Sequence, residues 1–170
     1  GPYREHAHAE LEAKAKGRIA ESDGGERCCG VTGAMYGAAL TPEREGARWA
    51  GLTTRLAERL LETSAVDAVL TMIPEADDRW RPQPAIITDP AEMKEARGMR
   101  MGYAPRLALL EPAKAAGHRK IAVIGIPGQI YALRALEADL GFERIYVIGT
   151  PCSDNTTTEN FHDFLARLSD

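Results

Sequence analysis

The chain has little of several things, and each shortage removes a class of protein. Only 3 cysteines occur in 170 residues, two of them adjacent at Cys28 and Cys29 and the third at Cys152. With no Cys-x-x-Cys there is neither a disulfide framework nor the usual spacing of a thiolate metal site. A reducing, cytoplasmic location is expected on that ground. No apolar run approaches the roughly 20 residues that span a bilayer, so no transmembrane segment is expected. The N-terminal stretch is polar and charged, unlike a signal peptide. Excess positive charge is missing too: the net charge is -4 and the pI about 5.6, which gives no reason to expect nucleic acid or an anionic membrane as partner. Gly125-Ile-Pro-Gly128 is not a GxGxxG dinucleotide fingerprint and lacks the Gly-Lys-Ser/Thr of a P-loop. No serine sits in a GxSxG elbow, and no internal repeat is visible.

What is present is an ordinary globular composition, 44% hydrophobic and 27% charged, enough for one domain with an arm. Residues 1–45 read as an N-terminal arm and linker, with a short helix by propensity before Lys16 and a flexible Glu21-Ser-Asp-Gly-Gly25. Residues 46–170 read as an α/β domain built on a short, mostly parallel sheet with flanking helices. Its centre is a βαβ unit over Lys120–Asn155. Ile121-Ala-Val-Ile124 and Ile145-Tyr-Val-Ile148 are apolar runs suited to buried parallel strands. Ile130, Leu133, Leu136 and Leu140 give the connecting helix a stripe, and Gly141 stops it.

Around this unit the spacing predicts a helix start at Thr41-Pro42-Glu43. A second helix carries Leu56, Leu60 and Leu61 inward and its charged residues outward. Strands are expected at Ala68–Met72 and Ala85–Ile87, the latter after the extended Trp80-Arg-Pro-Gln-Pro84. Further helices should start at Asp89-Pro90 and around Leu107, and an amphipathic one should close the chain with His162 turned outward.

Three turns collect backbone N–H donors and hydroxyls: Gly51-Leu52-Thr53-Thr54, Gly125–Gln129 and Gly149–Asn155. The last two follow strands, and open α/β sheets bind ligands outside the carboxyl ends of their strands. With the aromatics Trp80 and Tyr103 nearby, such turns suit a phosphate or the polar edge of a flat ring. Gly51 and the two threonines serve equally as packing and capping residues. Cys152 reads as a thiolate ligand, a nucleophile or a structural thiol.

Five motifs stand in one order: Trp49-Ala-Gly-Leu-Thr-Thr54, Trp80-Arg-Pro-Gln-Pro84, Tyr103-Ala-Pro105, Gly125-Ile-Pro-Gly-Gln129 and Gly149-Thr-Pro-Cys-Ser-Asp-Asn155. In that order they resemble the beta subunits of the deazaflavin-coenzyme-reducing hydrogenases. That flavoprotein family has a chlorophyll branch of hydroxymethyl chlorophyll a reductase and an iron–sulfur divinyl chlorophyllide 8-vinyl reductase. The turn after Gly149 and the lead-in Leu40–Trp49 are more similar to the chlorophyll branch. The resemblance implies an FAD site lined by Gly51, Leu52, Thr53, Thr54, Tyr103, Pro105, Pro127, Gly128 and Gln129. It implies that Cys152 ligates a [4Fe-4S] cluster in the complete protein but not in this chain alone, since a cluster takes about four thiolates. Ferredoxin or an electron-donating subunit would be the partner, and a tetrapyrrole, the 8-vinyl group of divinyl chlorophyllide or a related chlorophyll-cycle compound, the substrate. The alternatives are a deazaflavin-coenzyme hydrogenase or dehydrogenase beta subunit and, in another class, a catalytically silent partner-binding module.

Two departures from the family pattern bear on the site: Gly128 stands where a cysteine is usual, and Ala104-Pro-Arg106 where Ser-Pro-Asn is common, which would remove two polar contacts. The chain corresponds to an excerpt of the family's length, and its exposed sheet edge is an expected route to a homo-oligomer.

Overall fold

A computed structural model describes residues 8–21, 24–26, 30–43, 45, 51–152 and 155–168. The expectations for Cys28, Cys29 and Trp49 lie outside the described residues. The core is a four-stranded sheet, β1 (Ala68–Pro74), β2 (Pro82–Ile87), β3 (Lys120–Gly125) and β4 (Arg144–Gly149), in the order β2-β1-β3-β4. The β1–β3 and β3–β4 pairs are parallel, with Ala68 opposite Ile121 and Ile121 opposite Ile145. Only β2 runs antiparallel, with Val69 opposite Ile87 and Pro74 opposite Pro82. Pro82 and Pro84 fit there because β2 is an edge strand, where a missing N–H leaves no gap in a ladder. The α/β class and the mostly parallel sheet are as expected.

Strand side chains alternate between two cores. Val69, Ala122 and Ile124 face Ala57 and Leu61 of α2 (Leu52–Glu62), together with Met93 from the 3₁₀ segment Pro90–Ala96. Ala68, Leu70, Ile121 and Val123 face the other way, against Leu110 and Ala113 of α3 (Leu110–Ala115) and Leu133 of α4 (Pro127–Leu140). Asp89 caps the 3₁₀ segment by accepting the Ala91 N–H at 2.8 Å, with Pro90 at the first position. Gly141 ends α4 in the left-handed conformation, at φ 73°. The final helix α5 spans Thr158–Leu168. Among the described residues no helix is long and apolar enough to cross a membrane.

Several expectations are corrected. Residues 41–43 and 45 form bends and a turn rather than the helix read from Thr41-Pro42. In α2 the outward charges are not all outward: Glu58 is buried while Leu56 is exposed. Glu58 is tolerated because Arg55 and Arg97 pair with it, at 3.2 and 3.4 Å. His162 is turned outward as expected, and its Nε2 lies 3.3 Å from Asp78 Oδ2.

The arm carries the short helix expected before Lys16. Its helix α1 (His8–Lys16) carries Glu12, which accepts the Ala20 and Val31 N–H groups at 3.0 and 2.9 Å. Glu26 is held down to about 2 by Arg18 first and then by the Glu21 and Thr32 N–H groups.

Candidate functional site

The parallel strands β1, β3 and β4 deliver their carboxyl ends to one edge, and the predicted turns meet there. Gly125 and Gly149 are paired, and the Thr150 N–H donates to the Gly125 carbonyl at 2.9 Å. Over this edge lies a cavity of about 1160 Å³. That exceeds the roughly 300–1,000 Å³ of sites for drug-sized ligands, so a dinucleotide-sized molecule has room.

Its wall includes the start of α2 (Gly51–Thr54), Thr71 and Met72 of β1, Ile124 of β3, Gln129 of α4, and Thr150, Cys152 and Asn155 beyond β4. The roof is the segment from Gly98 to Arg106. Of the residues expected at the site, Gly51, Leu52, Thr53, Thr54, Tyr103, Pro105, Gln129 and Cys152 line this cavity, whereas Pro127 and Gly128 do not. Pro127 has no N–H, and the Gln129 and Ile130 N–H groups are already spent on the Ile126 carbonyl, so this turn is poorer in free donors than its composition suggests. A Cβ at Gly128 would meet nothing within 4 Å. Trp80 also stays outside the cavity, packed edge-on against Phe161 at 5.0 Å.

The roof is latched to the start of α5. Buried Thr158 donates its hydroxyl to the Met101 carbonyl at 2.7 Å, and Asn155 Nδ2 donates to the Gly102 carbonyl at 3.2 Å. Tyr103 donates to the Asn155 carbonyl at 3.3 Å. On the other side the Met101 N–H donates to the Trp80 carbonyl at 3.0 Å. Gly102 sits in the positive-φ half of backbone space, at φ 151°. A Cβ there would run into Thr158 Oγ1 and lie 2.9 Å from Pro82 Cδ. Only glycine fits at this point of closest approach.

The sequence reading noted Arg106 only as a departure from the family pattern and assigned no role to either arginine of the site. Arg100 and Arg106 line the cavity, and among the described residues no aspartate or glutamate does. Arg100 donates to the carbonyls of Glu95, Arg97 and Met99. Arg106 donates through Nη1 to Gln129 Oε1 at 2.8 Å, and Gln129 Oε1 is also 3.5 Å from the Ile126 N–H. The Nε of each arginine is buried without a hydrogen-bond partner. Burial depresses Arg106 to about 10 and lowers Arg100 more mildly, Glu95 opposing it there. The Ala104-Pro-Arg106 departure therefore does not strip the site of polarity: it puts a guanidinium where the resemblance alone led to an asparagine. The signal in the sequence was a lone arginine beside a proline, which no spacing rule singles out.

Residues 35–111 match the model of the coenzyme F420 hydrogenase/dehydrogenase beta subunit N-terminal part, and residues 118–169 that of the C-terminal part of the same protein. The chain belongs to this family. It is 36% identical over 160 residues to 7-hydroxymethyl chlorophyll a reductase, chloroplastic, of Oryza sativa subsp. japonica, across 94% of this chain and 34% of the relative. It is 38% identical over 124 residues to an uncharacterised protein of Nostoc sp., across 73% of this chain and 31% of that one. Against a subunit of the F(420)H(2) dehydrogenase of Methanosarcina mazei the identity is 23%, across 73% of this chain and 34% of that one.

The chain thus spans about a third of the length of the curated relatives it matches. A chain in a structure of the F420-reducing [NiFe] hydrogenase complex from Methanosarcina barkeri shares the fold. Its TM-score is 0.64 at 22% identity, over 71% of this chain and 44% of that one. The named relatives are a reductase and part of a dehydrogenase, so the family is one of oxidoreductases and their subunits.

Proposed function

We propose that this chain is the FAD-holding part of an oxidoreductase that draws electrons from ferredoxin or a donor subunit and reduces a tetrapyrrole of chlorophyll metabolism. The observation that carries the reading is the cavity at the carboxyl edge of the sheet: dinucleotide-sized, without a carboxylate among its described lining residues, and bearing two arginines with orphaned Nε atoms. These features fit a large, flat, anionic cofactor. Gly51–Thr54 would hold it from the start of α2 and Gln129 from α4. Met72 and Ile124 supply apolar wall that excludes water, and Tyr103 stands at the exposed rim. FAD, when bound, supplies hydride and single-electron transfer. The arginines supply counter-charge, and the latch at Asn155 and Thr158 holds the roof carrying them.

The described residues do not fit an iron–sulfur cluster by themselves. Among them no three of His, Cys, Asp and Glu gather, and Cys152 at the rim is the one described cysteine. A cluster would need thiolates from the rest of a longer protein. The higher identity to the chlorophyll a reductase than to the methanogen dehydrogenase supports a tetrapyrrole over a deazaflavin coenzyme as acceptor. The family description favours the deazaflavin coenzyme as the second reading. As to location, the cytoplasm read from the sequence stands beside a rice relative that is chloroplastic by name.

The test is a visible absorption spectrum of the purified chain before and after incubation with FAD and desalting. Retained flavin bands are the expected result. A colourless chain would sink the cofactor reading and put a silent partner-binding module ahead. Assays of a full-length form with each acceptor then separate tetrapyrrole from deazaflavin.

A further inference from the structure

We infer that Arg106 is the residue by which this cavity selects an oxyanion, namely a phosphate of the bound nucleotide cofactor, and that Gln129 positions it. The inference deepens the flavin reading and rests on it. This chain usually neutralises its partly buried arginines with carboxylates: Arg97 and Arg55 share Glu58, and Arg134 takes Glu137 at 2.7 Å. Arg106 breaks that habit. It has no ion-pair partner among the described residues, and none of the described residues lining its cavity is an acid that could become one.

Among the described residues its side chain makes one hydrogen bond, to a neutral amide oxygen, which fixes the guanidinium without cancelling its charge. The orientation of that amide follows from its neighbours. Oε1 faces the Arg106 and Ile126 donors, leaving Nε2 toward the Ala104 carbonyl at 3.5 Å. The guanidinium also rests against the end of β3, where a Cβ on Gly125 would lie 3.7 Å from Nη1.

A cation withdrawn from water, held in place and left without a counter-charge is stabilised by a ligand that brings one. The planar fork of arginine matches a phosphate bidentately, which a carbonyl cannot do. Arg100 is the weaker candidate because both its terminal nitrogens already serve backbone carbonyls.

The experiment measures dissociation constants of riboflavin, FMN and FAD by fluorescence titration, and thermal protection by inorganic pyrophosphate. Proteins are the wild type, Arg106→Met and Arg106→Lys. Wild type should prefer FMN or FAD to riboflavin by about 10- to 100-fold, the range of a charge-assisted hydrogen-bonded contact. Arg106→Met should bring that ratio close to 1, leave riboflavin within about twofold and lose the pyrophosphate protection, while its ligand-free Tm does not fall. Arg106→Lys should keep part of the preference.

A purely structural Arg106 would behave differently. The Met variant would melt lower and lose riboflavin and FAD in equal measure, or keep the wild-type ratio, and either result overturns the inference. If wild type binds no flavin but pyrophosphate still protects it through Arg106, the flavin reading fails and the anion site stands. If flavin binds indifferently to Arg106, the anion site fails and the flavin reading stands.

Discussion

Replacing Gly102 by alanine should both destabilise the chain and loosen the cavity roof. The new methyl group would collide with Thr158 Oγ1 and sit 2.9 Å from Pro82 Cδ, in a backbone conformation at φ 151° that L-residues avoid. Neither neighbour gives way freely. Thr158 is buried and bonded to the Met101 carbonyl at 2.7 Å, and Pro82 is a ring locked into β2 opposite Pro74. Overpacking costs about 1–3 kcal/mol. The backbone strain adds about 1–3 kcal/mol. A loss of about 2–6 kcal/mol is expected.

Urea unfolding at 25 °C gives the stability, and FAD titration of the folded fraction gives the effect on the roof. Thr158→Ala alone should cost about 0.5–1.5 kcal/mol for its hydrogen bond. In that background Gly102→Ala should be less harmful, because one of the two clashes is gone, so the pair couples. A Gly102→Ala chain within about 0.5 kcal/mol of wild type, or strictly additive effects of the two changes, would refute the argument that this glycine exists for close approach.

Two further perturbations address the core and the strand junction. Leu70→Ala empties a fully buried position between the sheet and α3 and should cost about 2–5 kcal/mol, read as a lower urea midpoint with an unchanged slope. Asp67 accepts the Lys120 and Arg119 N–H groups at 2.9 and 2.8 Å, and these hold its carboxyl below its ordinary value of 3.8. A depressed carboxyl contributes stability that is present above the unfolded pKa and lost as pH falls through the folded one. The stability gap between wild type and Asp67→Asn should therefore favour wild type at pH 7 and narrow once the pH drops below about 4. Denaturation at pH 7, 4 and 3 measures it, and a gap that does not change with pH refutes the assignment.

The sequence by itself determined the elements whose signals are local. The apolar runs of β3 and β4, the stripe of α4, its stop at Gly141 and the Asp89-Pro90 cap each depend on residues within a turn or two of one another. From the βαβ order followed the edge where the Gly125 and Gly149 turns gather, with Gln129 and Cys152 among the cavity-lining positions, whereas Gly51 to Thr54, Tyr103 and Pro105 came from the family resemblance. Tertiary structure decided everything that joins distant residues. Whether β2 runs parallel or antiparallel is not written in Ala85-Ile86-Ile87; it follows from pairing along β1.

Glu58 goes inside and Leu56 outside because Arg97, 39 residues away, supplies the charge that permits it. Helical spacing cannot report such a partner. Arg106 and Gln129 are 23 residues apart and meet only because α4 starts beside the end of β3, where the 3₁₀ turn Arg106–Leu109 packs. A residue's type states what it is able to bind. The desolvation that makes a charge seek a ligand is set by the whole fold around it.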